Sequence, residues 1–420
     1  MTNTKTEAPI EAVAVEPSRG DAFTSAQRLG YIIILGALSA LGPFTIDLYL
    51  PAFPAVADDL NASDAAIQIT LTATLVGFAL GQLIVGPLAD AFGRRKPLII
   101  ATGIHVVASL AIAFAPTVEL VTVGRVFQGI GAAGSGVVAM AVVRDLFSGQ
   151  RLIRMLSRLA LVWGLAPVLA PVIGAQLLRV TDWHGVFFFL AAYGLVMVLV
   201  ASFLMIETLP AERRGVFSGK AVARRYGHLI RDRAFVGAAI LGSMAFTALF
   251  SYLSGSSFLL QDTFGLDAQQ FALAFGANSL GLVAATQISA RLMRRFAPKS
   301  VATAGLIIMT SGAVSLLLCG LVDGPLMWVL VSLFFVVSPL GIIMPTVQVT
   351  ALANHAEEAG TAASLIGALN SLLPGLVTPL IGFLGVSVVS MAGVMIGALL
   401  IAHVALWFIV RPNAHSGVVS

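Results

Sequence analysis

The sequence predicts an all-α membrane protein whose twelve transmembrane helices form two pseudo-symmetric six-helix bundles. Of its 420 residues, 58% are hydrophobic and only 10% are charged, whereas soluble globular domains carry about 25% charged residues. The apolar residues fall into twelve runs, each near the roughly 20 residues that a helix needs to cross a bilayer. A long basic segment separates the first six runs from the last six. The runs lack the alternation of apolar and polar residues that a membrane barrel requires, so each is expected to be a helix.

The predicted spans define the domain organisation. Their expected ranges are 28–53, 65–89, 97–115, 120–143, 159–178, 186–206, 234–260, 268–291, 300–321, 326–352, 360–383 and 386–410. The predicted parts of the chain are an N-terminal tail over 1–27, a six-helix bundle over 28–206, a basic linker over 207–233, a second six-helix bundle over 234–410 and a C-terminal tail over 411–420. The two halves repeat some residues at an offset of 200 positions, among them Gly81 with Gly281 and Arg94 with Arg294.

The distribution of charge predicts how the spans are oriented. Every Lys and Arg except Arg125 and Arg179 falls in a tail or connection on one side of the predicted membrane, or at the end of a span that adjoins that side. The connections on the other side carry the acids Asp58, Asp59, Asp64, Asp262, Asp267 and Asp323. Because connections rich in Lys and Arg stay cytoplasmic, both termini are expected in the cytoplasm of a bacterium, with the chain in its inner membrane. The basic linker is expected to lie on the anionic lipid surface rather than to serve as a binding tail.

Several classes of function are disfavoured by what the sequence lacks. Cys319 is the single cysteine, so neither a disulfide nor a thiolate metal site is expected. Segment 129–134 matches a dinucleotide fingerprint, but it lies within a span and is expected to be a small-residue packing face. His105 and His403 are isolated in apolar runs and are expected to be packing residues. Since neither a phosphate-binding loop nor a nucleophile–base–acid set is found, we expect a non-enzyme that uses no cofactor, metal or nucleic acid.

A basic hairpin over 86–96 reads GPLADAFGRRK and joins the second and third predicted spans. It resembles the signature loop of the major facilitator superfamily of transporters, which implies the major facilitator fold and a loop that holds the cytoplasmic side shut. Gly86 is expected to let a neighbouring helix approach, Asp90 to accept hydrogen bonds from a facing helix N-terminus, and Arg94 to pair with Asp145. The alternative is a solvated loop. The expected gating residues are Gly86, Asp90, Gly93, Arg94, Arg95 and Asp145.

Three further segments carry the same resemblance. Segment 124–133, GRVFQGIGAA, is similar to the family's R-x-x-Q-G-x-G-A-A pattern. Segment 164–174, GLAPVLAPVIG, is similar to its antiporter motif, although Ala170 and Ala175 depart from the pattern. Segment 46–54, IDLYLPAFP, resembles the bicyclomycin and chloramphenicol resistance branch of drug–proton antiporters. The expected antiporter-motif residues are Gly164, Pro167, Pro171 and Gly174.

Two charged residues within the spans are the expected proton-coupling pair. Arg125 lies in the fourth span, where a charge costs about 2.5–3.5 kcal/mol even on the lenient insertion scale. It must therefore face a wet cavity or a partner, or else tie down neighbouring carbonyls. Burial of Asp47 would favour its protonated form, whereas proximity to Arg125 would favour the carboxylate. Asp47 is therefore expected to bind a proton in one state and release it in another; the alternative is an interfacial acid solvated from outside.

The same resemblance implies that the first, fourth, seventh and tenth spans line a central cavity. Its expected lining residues are Phe44, Gln128, Phe246, Phe250, Tyr252 and Met344. The predicted function is efflux of small, fairly apolar compounds in exchange for protons by alternating access, performed by a monomer. One alternative is a proton-coupled importer or a sugar or metabolite exporter of the same fold. Another is a membrane enzyme or receptor, which would need paired His or acids at helical spacing.

Overall fold

A computed structural model of the protein describes residues 23–215, 218–353, 355 and 359–409. Within these ranges every regular element is helical. The helices are α1 (Ser25–Asp47), α2 (Phe53–Asp59), α3 (Asp64–Phe92), α4 (Arg95–Ala113), α5 (Val118–Leu146), α6 (Gly149–Leu177), α7 (Trp183–Phe203), α8 (Gly219–Leu229), α9 (Arg233–Phe258), α10 (Ala268–Leu292), α11 (Pro298–Leu321), α12 (Leu326–Val337), α13 (Leu340–Leu352), α14 (Ala359–Val377), α15 (Pro379–Phe383) and α16 (Val388–Val404). The predicted C-terminal tail, and the N-terminal tail up to residue 22, lie outside the described residues.

The predicted spans correspond to these helices. Eleven helical segments of the described chain are long and apolar enough to cross a membrane, and α6 contains a shorter apolar section over Gly164–Leu177. The predicted fifth span began at residue 159, ten residues after the true start of α6. The early turns of α6 carry Arg151, Arg154 and Arg158, which lower the local hydropathy and hide the continuous helix from an apolar-run criterion.

Three predicted spans are interrupted. The first was expected to run to residue 53, but α1 ends at Asp47 and is followed by a 3₁₀ turn over Leu50–Ala52 and then by α2. The tenth divides into α12 and α13 at Pro339, and the eleventh into α14 and α15 at Pro379. Proline has no N–H for the helical ladder and its ring collides with the preceding turn, so these breaks follow from the residues although the hydropathy conceals them.

Glycines set the spacing between helices of the first half. A Cβ on Gly77 of α3 would lie 2.0 Å from the carbonyl oxygen of Val126, and one on Gly129 of α5 would lie 2.3 Å from that of Thr74. The backbones of α3 and α5 are therefore in direct contact, a packing mode that drives association of helices in lipid. The predicted role of segment 129–134 as a packing face is confirmed by this geometry.

The two halves meet firmly at the end of the bundle opposite the basic hairpin, here called the outer end. The Ser257 hydroxyl donates to the carbonyl oxygen of Leu50 at 2.7 Å. Gln176 donates to Gln269, also at 2.7 Å. Because each of these contacts joins the first half to the second, the outer end is closed in this conformation.

Candidate functional site: a buried arginine and a basic hairpin

Arg125 is the largest fully buried side chain of the described residues. Its Nη1 donates to the backbone carbonyl of Thr45 at 2.8 Å and to Oε1 of Gln128 at 2.7 Å. The guanidinium carbon lies 4.8 Å from the centroid of the Tyr49 ring and 5.9 Å from that of Phe187. Cation–π contact of this kind stabilises a desolvated guanidinium. The helix break after Asp47 is what turns Tyr49 towards α5.

The guanidinium is incompletely paired. Its Nε and Nη2 are buried and have no hydrogen-bond partner among the described residues. An unpaired donor on a buried charge is costly, and such groups in native proteins require an explanation. These two nitrogens are consequently free to receive an anionic or carbonyl group in another state of the protein.

Asp47 is buried at the last residue of α1, with 5% of its surface exposed. The alternative of an acid solvated from outside is therefore wrong for this conformation. The predicted proximity to Arg125 is not found either: no base or hydrogen-bond donor of the described chain pairs with the carboxylate. Arg125 bonds the backbone of Thr45 instead, two residues before Asp47.

The predicted cavity residues do not share one open site in this conformation. Gln128 and Tyr252 are buried and occupied: Gln128 holds Arg125, and the Tyr252 hydroxyl accepts from Asn278 at 3.1 Å. Phe246 and Phe250 stack on each other at 6.1 Å between ring centroids. Phe44 contacts Tyr193, and Met344 packs against the core. An open pocket of about 480 Å³ lies at the outer end, between α2, the start of α7 and the segment after α9, lined in part by Pro51, Trp183 and Gln261.

The basic hairpin is held by ion pairs within the first half. Nε of Arg94 donates to Asp145 at 2.8 Å, so the expected pair between these two residues is present. Arg94 also pairs with Asp90 four residues earlier, and Arg95 donates to the backbone carbonyls of Ala201 and Ser202. Thr208 adds a hydrogen bond to Asp145 at 2.9 Å. These contacts join α3, α4, α5 and the end of α7 at one point at the hairpin end of the bundle.

The helix N-terminus at this point is capped by Glu207, not by Asp90 as expected. Oε1 of Glu207 accepts from the backbone N–H of Arg94 at 2.9 Å, and Oε2 accepts from that of Arg95 at 3.2 Å. Asp90 is largely exposed. Burial opposes ionisation of Glu207, but the backbone donors of Leu209, Arg94 and Arg95 and the charge of Arg214 prevail and lower its pKa. A carboxylate at a helix N-terminus gains from both these hydrogen bonds and the dipole.

The glycines of the hairpin differ in importance from what was expected. A Cβ on Gly86 would meet Val137 at an ordinary 3.5 Å, so Gly86 does not permit an unusually close helix approach. Gly93 is required: its φ is +88°, and a Cβ there would lie 2.5 Å from Oε2 of Glu207. Only glycine adopts this backbone conformation without strain. Sequence reasoning missed Glu207, and the available signal was an acid directly after the sixth span.

We expect Glu207→Gln to lower the melting temperature of the purified protein at pH 7 by about 2 °C or more. Because the pKa of Glu207 is lowered from its ordinary value of 4.5, the stabilisation is complete above that value and is lost as the pH falls through the folded-state pKa. The difference between wild type and variant should therefore shrink as the pH is lowered through the folded-state pKa of Glu207. Glu212→Gln is the matched control, since Glu212 is exposed on the same linker; equal effects of both changes would contradict the capping role.

The antiporter-motif residues lie on α6 between the two halves. A Cβ on Gly174 would lie 2.2 Å from the carbonyl oxygen of Leu48, so α6 touches the chain directly after Asp47. A Cβ on Gly164 would meet Val283 of α10 at 3.0 Å. Pro167 and Pro171 lie within the continuous helix. The motif thus packs against the break in α1 at one end and against the second half at the other.

Eleven membrane-length apolar helical segments of the described chain, together with α6, surround a buried arginine and a buried acid, as in a polytopic membrane transporter. The chain belongs to the Major Facilitator Superfamily, whose family model matches residues 33–379. This match confirms the superfamily predicted from the hairpin at 86–96 and the major facilitator fold.

Individual proteins agree with this assignment. The chain is 35% identical to an uncharacterized MFS-type transporter, YdgK, of Bacillus subtilis over 91% of this chain and 96% of the relative. It is 29% identical to a bicyclomycin resistance protein homolog of Haemophilus influenzae over 92% of this chain and 97% of the relative. The latter likeness supports the predicted branch of the superfamily. The crystal structure of a D-xylose–proton symporter has the same fold, with a TM-score of 0.70 at 18% identity, over 91% of this chain and 98% of the symporter.

Proposed function

We propose that this transporter exports small, fairly apolar compounds in exchange for protons by alternating access. The observation that carries the proposal is the pair of buried, incompletely partnered charges: Asp47 has no partner among the described residues, and Arg125 retains two unused donors. Each of these two charges is unfavourable in a dry interior. A step of the transport cycle would stabilise each of them. Proton binding neutralises Asp47, and a nearby carboxylate or a substrate oxygen satisfies Arg125.

The proposed cycle follows from the closed outer end. In this conformation Asp47 is shielded from the outer solution and carries the proton that it bound when the outer end was open. Substrate entering from the cytoplasm displaces the proton to the cytoplasm, and a movement that brings Asp47 to the free Nε and Nη2 of Arg125 then stabilises the charge that develops on Asp47. Separation of the outer contacts at Ser257 and Gln176 releases the substrate and gives Asp47 access to a new proton.

The choice of substrate class rests on the relative that is named for bicyclomycin resistance. The central helices also carry aromatic and apolar side chains, such as the half-buried Phe44, Phe246 and Met344, which suit varied apolar compounds. The xylose symporter shares the fold alone and therefore gives no support to an importer.

The proposed setting is the bacterial inner membrane, with both termini cytoplasmic and the chain acting as a monomer. The hairpin and helix α8 lie at the same end of the bundle, where Lys220, Arg224 and Arg225 are exposed while Leu229 is buried. This two-sided helix suits the surface of an anionic leaflet. The five predicted parts of the chain, with two bundles joined by this linker, belong to the same proposal.

The test uses inside-out vesicles from bacteria that express the protein. An inward-acid pH gradient is established, and chloramphenicol, bicyclomycin or ethidium is added while a pH-sensitive dye reports the lumen. We expect proton release from the lumen on addition of a transported compound, absent from vesicles without the protein. Substrate uptake that proceeds without any change in the gradient would overturn proton exchange, and proton movement with substrate in the same direction would establish an importer.

A further inference from the structure

His105 of α4 occupies a pocket made by two glycines. Its side chain is fully buried. A Cβ on Gly131 of α5 would lie 2.7 Å from the backbone nitrogen of His105, and one on Gly194 of α7 would lie 2.9 Å from its Cδ2. Gly131 therefore lets the backbone of α4 at His105 approach α5, and Gly194 leaves room for the imidazole against α7. The sequence suggested an isolated packing residue, whereas the structure gives the ring a polar contact with α5.

A continuous chain of hydrogen bonds links this pocket to Arg125. Nη1 of Arg125 donates to Gln128 at 2.7 Å, and Nε2 of Gln128 donates to the Ser109 hydroxyl at 2.8 Å. The Ser109 hydroxyl donates to the backbone carbonyl of His105 at 2.7 Å. Nδ1 of the His105 ring lies 3.3 Å from the backbone carbonyl oxygen of Gln128. His105 thus contacts Gln128 in two ways. It reaches the side chain of Gln128 through Ser109, and its ring directly contacts the backbone carbonyl of Gln128.

Both ring nitrogens of His105 face acceptors. A carbonyl oxygen only accepts, so Nδ1 bonds the backbone carbonyl of Gln128 in the tautomer that carries the proton on Nδ1. Nε2 lies 3.5 Å from the Ser109 hydroxyl, whose own proton goes to the backbone carbonyl of His105. In the first tautomer the ring donates to the turn of α5 that carries Gln128, and in the other it donates towards Ser109.

We propose that His105 is a positioning residue for Arg125. Its Nδ1–H holds the Gln128 turn of α5, and its backbone holds Ser109, so that Gln128 presents Oε1 to Nη1 of the guanidinium. With Nη1 fixed on Thr45 and Gln128, Nε and Nη2 stay directed away from the network and free for the exchange at Asp47. The inference rests on the proposed function for its transport consequence, but the geometry that it describes is independent of the substrate.

Paired amide variants test the role of the Nδ1 atom. In the vesicle assay His105→Asn should stay within about twofold of wild type, because an asparagine amide places an N–H where Nδ1 lies. His105→Gln is closer to histidine in size, but its amide extends to the position of Nε2. It should lower kcat about tenfold with little change in KM, because this is the loss expected for one hydrogen bond that supports a charged group. His403→Gln is the control, since His403 contacts Thr310 in the second half. Equal losses for both His105 variants, or none for either, would overturn the proposal in favour of simple packing.

A second measurement does not depend on transport. In a double-mutant cycle on the melting temperature, His105→Gln and Arg125→Met should be non-additive, because both act on the same network, whereas His403→Gln and Arg125→Met should add. Additivity of the first pair contradicts the positioning role even if transport is normal. If wild-type vesicles show no exchange while the first pair is coupled, the proposed function fails and the positioning role stands.

Discussion

Asp47→Asn is expected to abolish substrate-driven proton release while leaving the protein folded. Asparagine has nearly the same shape as aspartate, and the buried carboxylate has no partner among the described residues that the amide would lose. The amide cannot take up or release a proton near neutral pH. The variant is therefore held in the neutral form, and exchange should fall by at least about a hundredfold, the effect of losing a required proton carrier.

The measurement is the dye signal in inside-out vesicles, together with binding of ethidium to the purified variant. Binding should persist, because the substitution removes the titrating carboxyl group of Asp47 while the protein stays folded. Asp58→Asn is the matched control, since Asp58 is an exposed acid a short distance along the chain at the outer end, and it should behave as wild type. Proton release that survives in Asp47→Asn would remove Asp47 from the coupling step and leave the transporter assignment intact.

Arg125→Lys is expected to reduce transport about a hundredfold although the charge is retained. The guanidinium donates to Thr45 and Gln128 from one nitrogen and lies over the Tyr49 ring. A lysine ammonium is a compact charge that cannot keep these contacts and also present two further planar donors. Loss of one hydrogen bond to a charged group costs about 1.5–3 kcal/mol, and each 1.4 kcal/mol corresponds to about tenfold.

Initial rates of exchange and the melting temperature should be measured on the same preparation. We expect the rate to fall while the melting temperature changes by only a few degrees, because the buried charge is still present. Arg294→Lys, an exposed arginine between α10 and α11, controls for the substitution itself. A lysine variant that transports at the wild-type rate would show that charge alone is needed and that the unused guanidinium donors have no role.

The sequence by itself determined the class of the protein and the approximate positions of its spans. Lipid offers the backbone no hydrogen-bond partner, so every N–H and C=O of a spanning segment must bond within the protein. Apolar runs of sufficient length are therefore expected to be helical, and the structure has helices at these positions. The same criterion placed the start of α6 too late, because Arg151, Arg154 and Arg158 extend a helix beyond its apolar section. It also joined α12 to α13, since hydropathy does not register the missing N–H of Pro339.

Which polar groups meet was decided only by the tertiary structure. Glu207 caps a helix N-terminus 113 residues away in the chain, and local spacing had favoured Asp90 because it lies in the same hairpin. Asp47 and Arg125 both lie in the first half, yet Arg125 bonds the backbone carbonyl of Thr45 rather than the carboxylate of Asp47. His105 joined the site for the same reason: a hydrogen bond needs a partner at about 3 Å with suitable direction, and only the packing of α4, α5 and α7 supplies that.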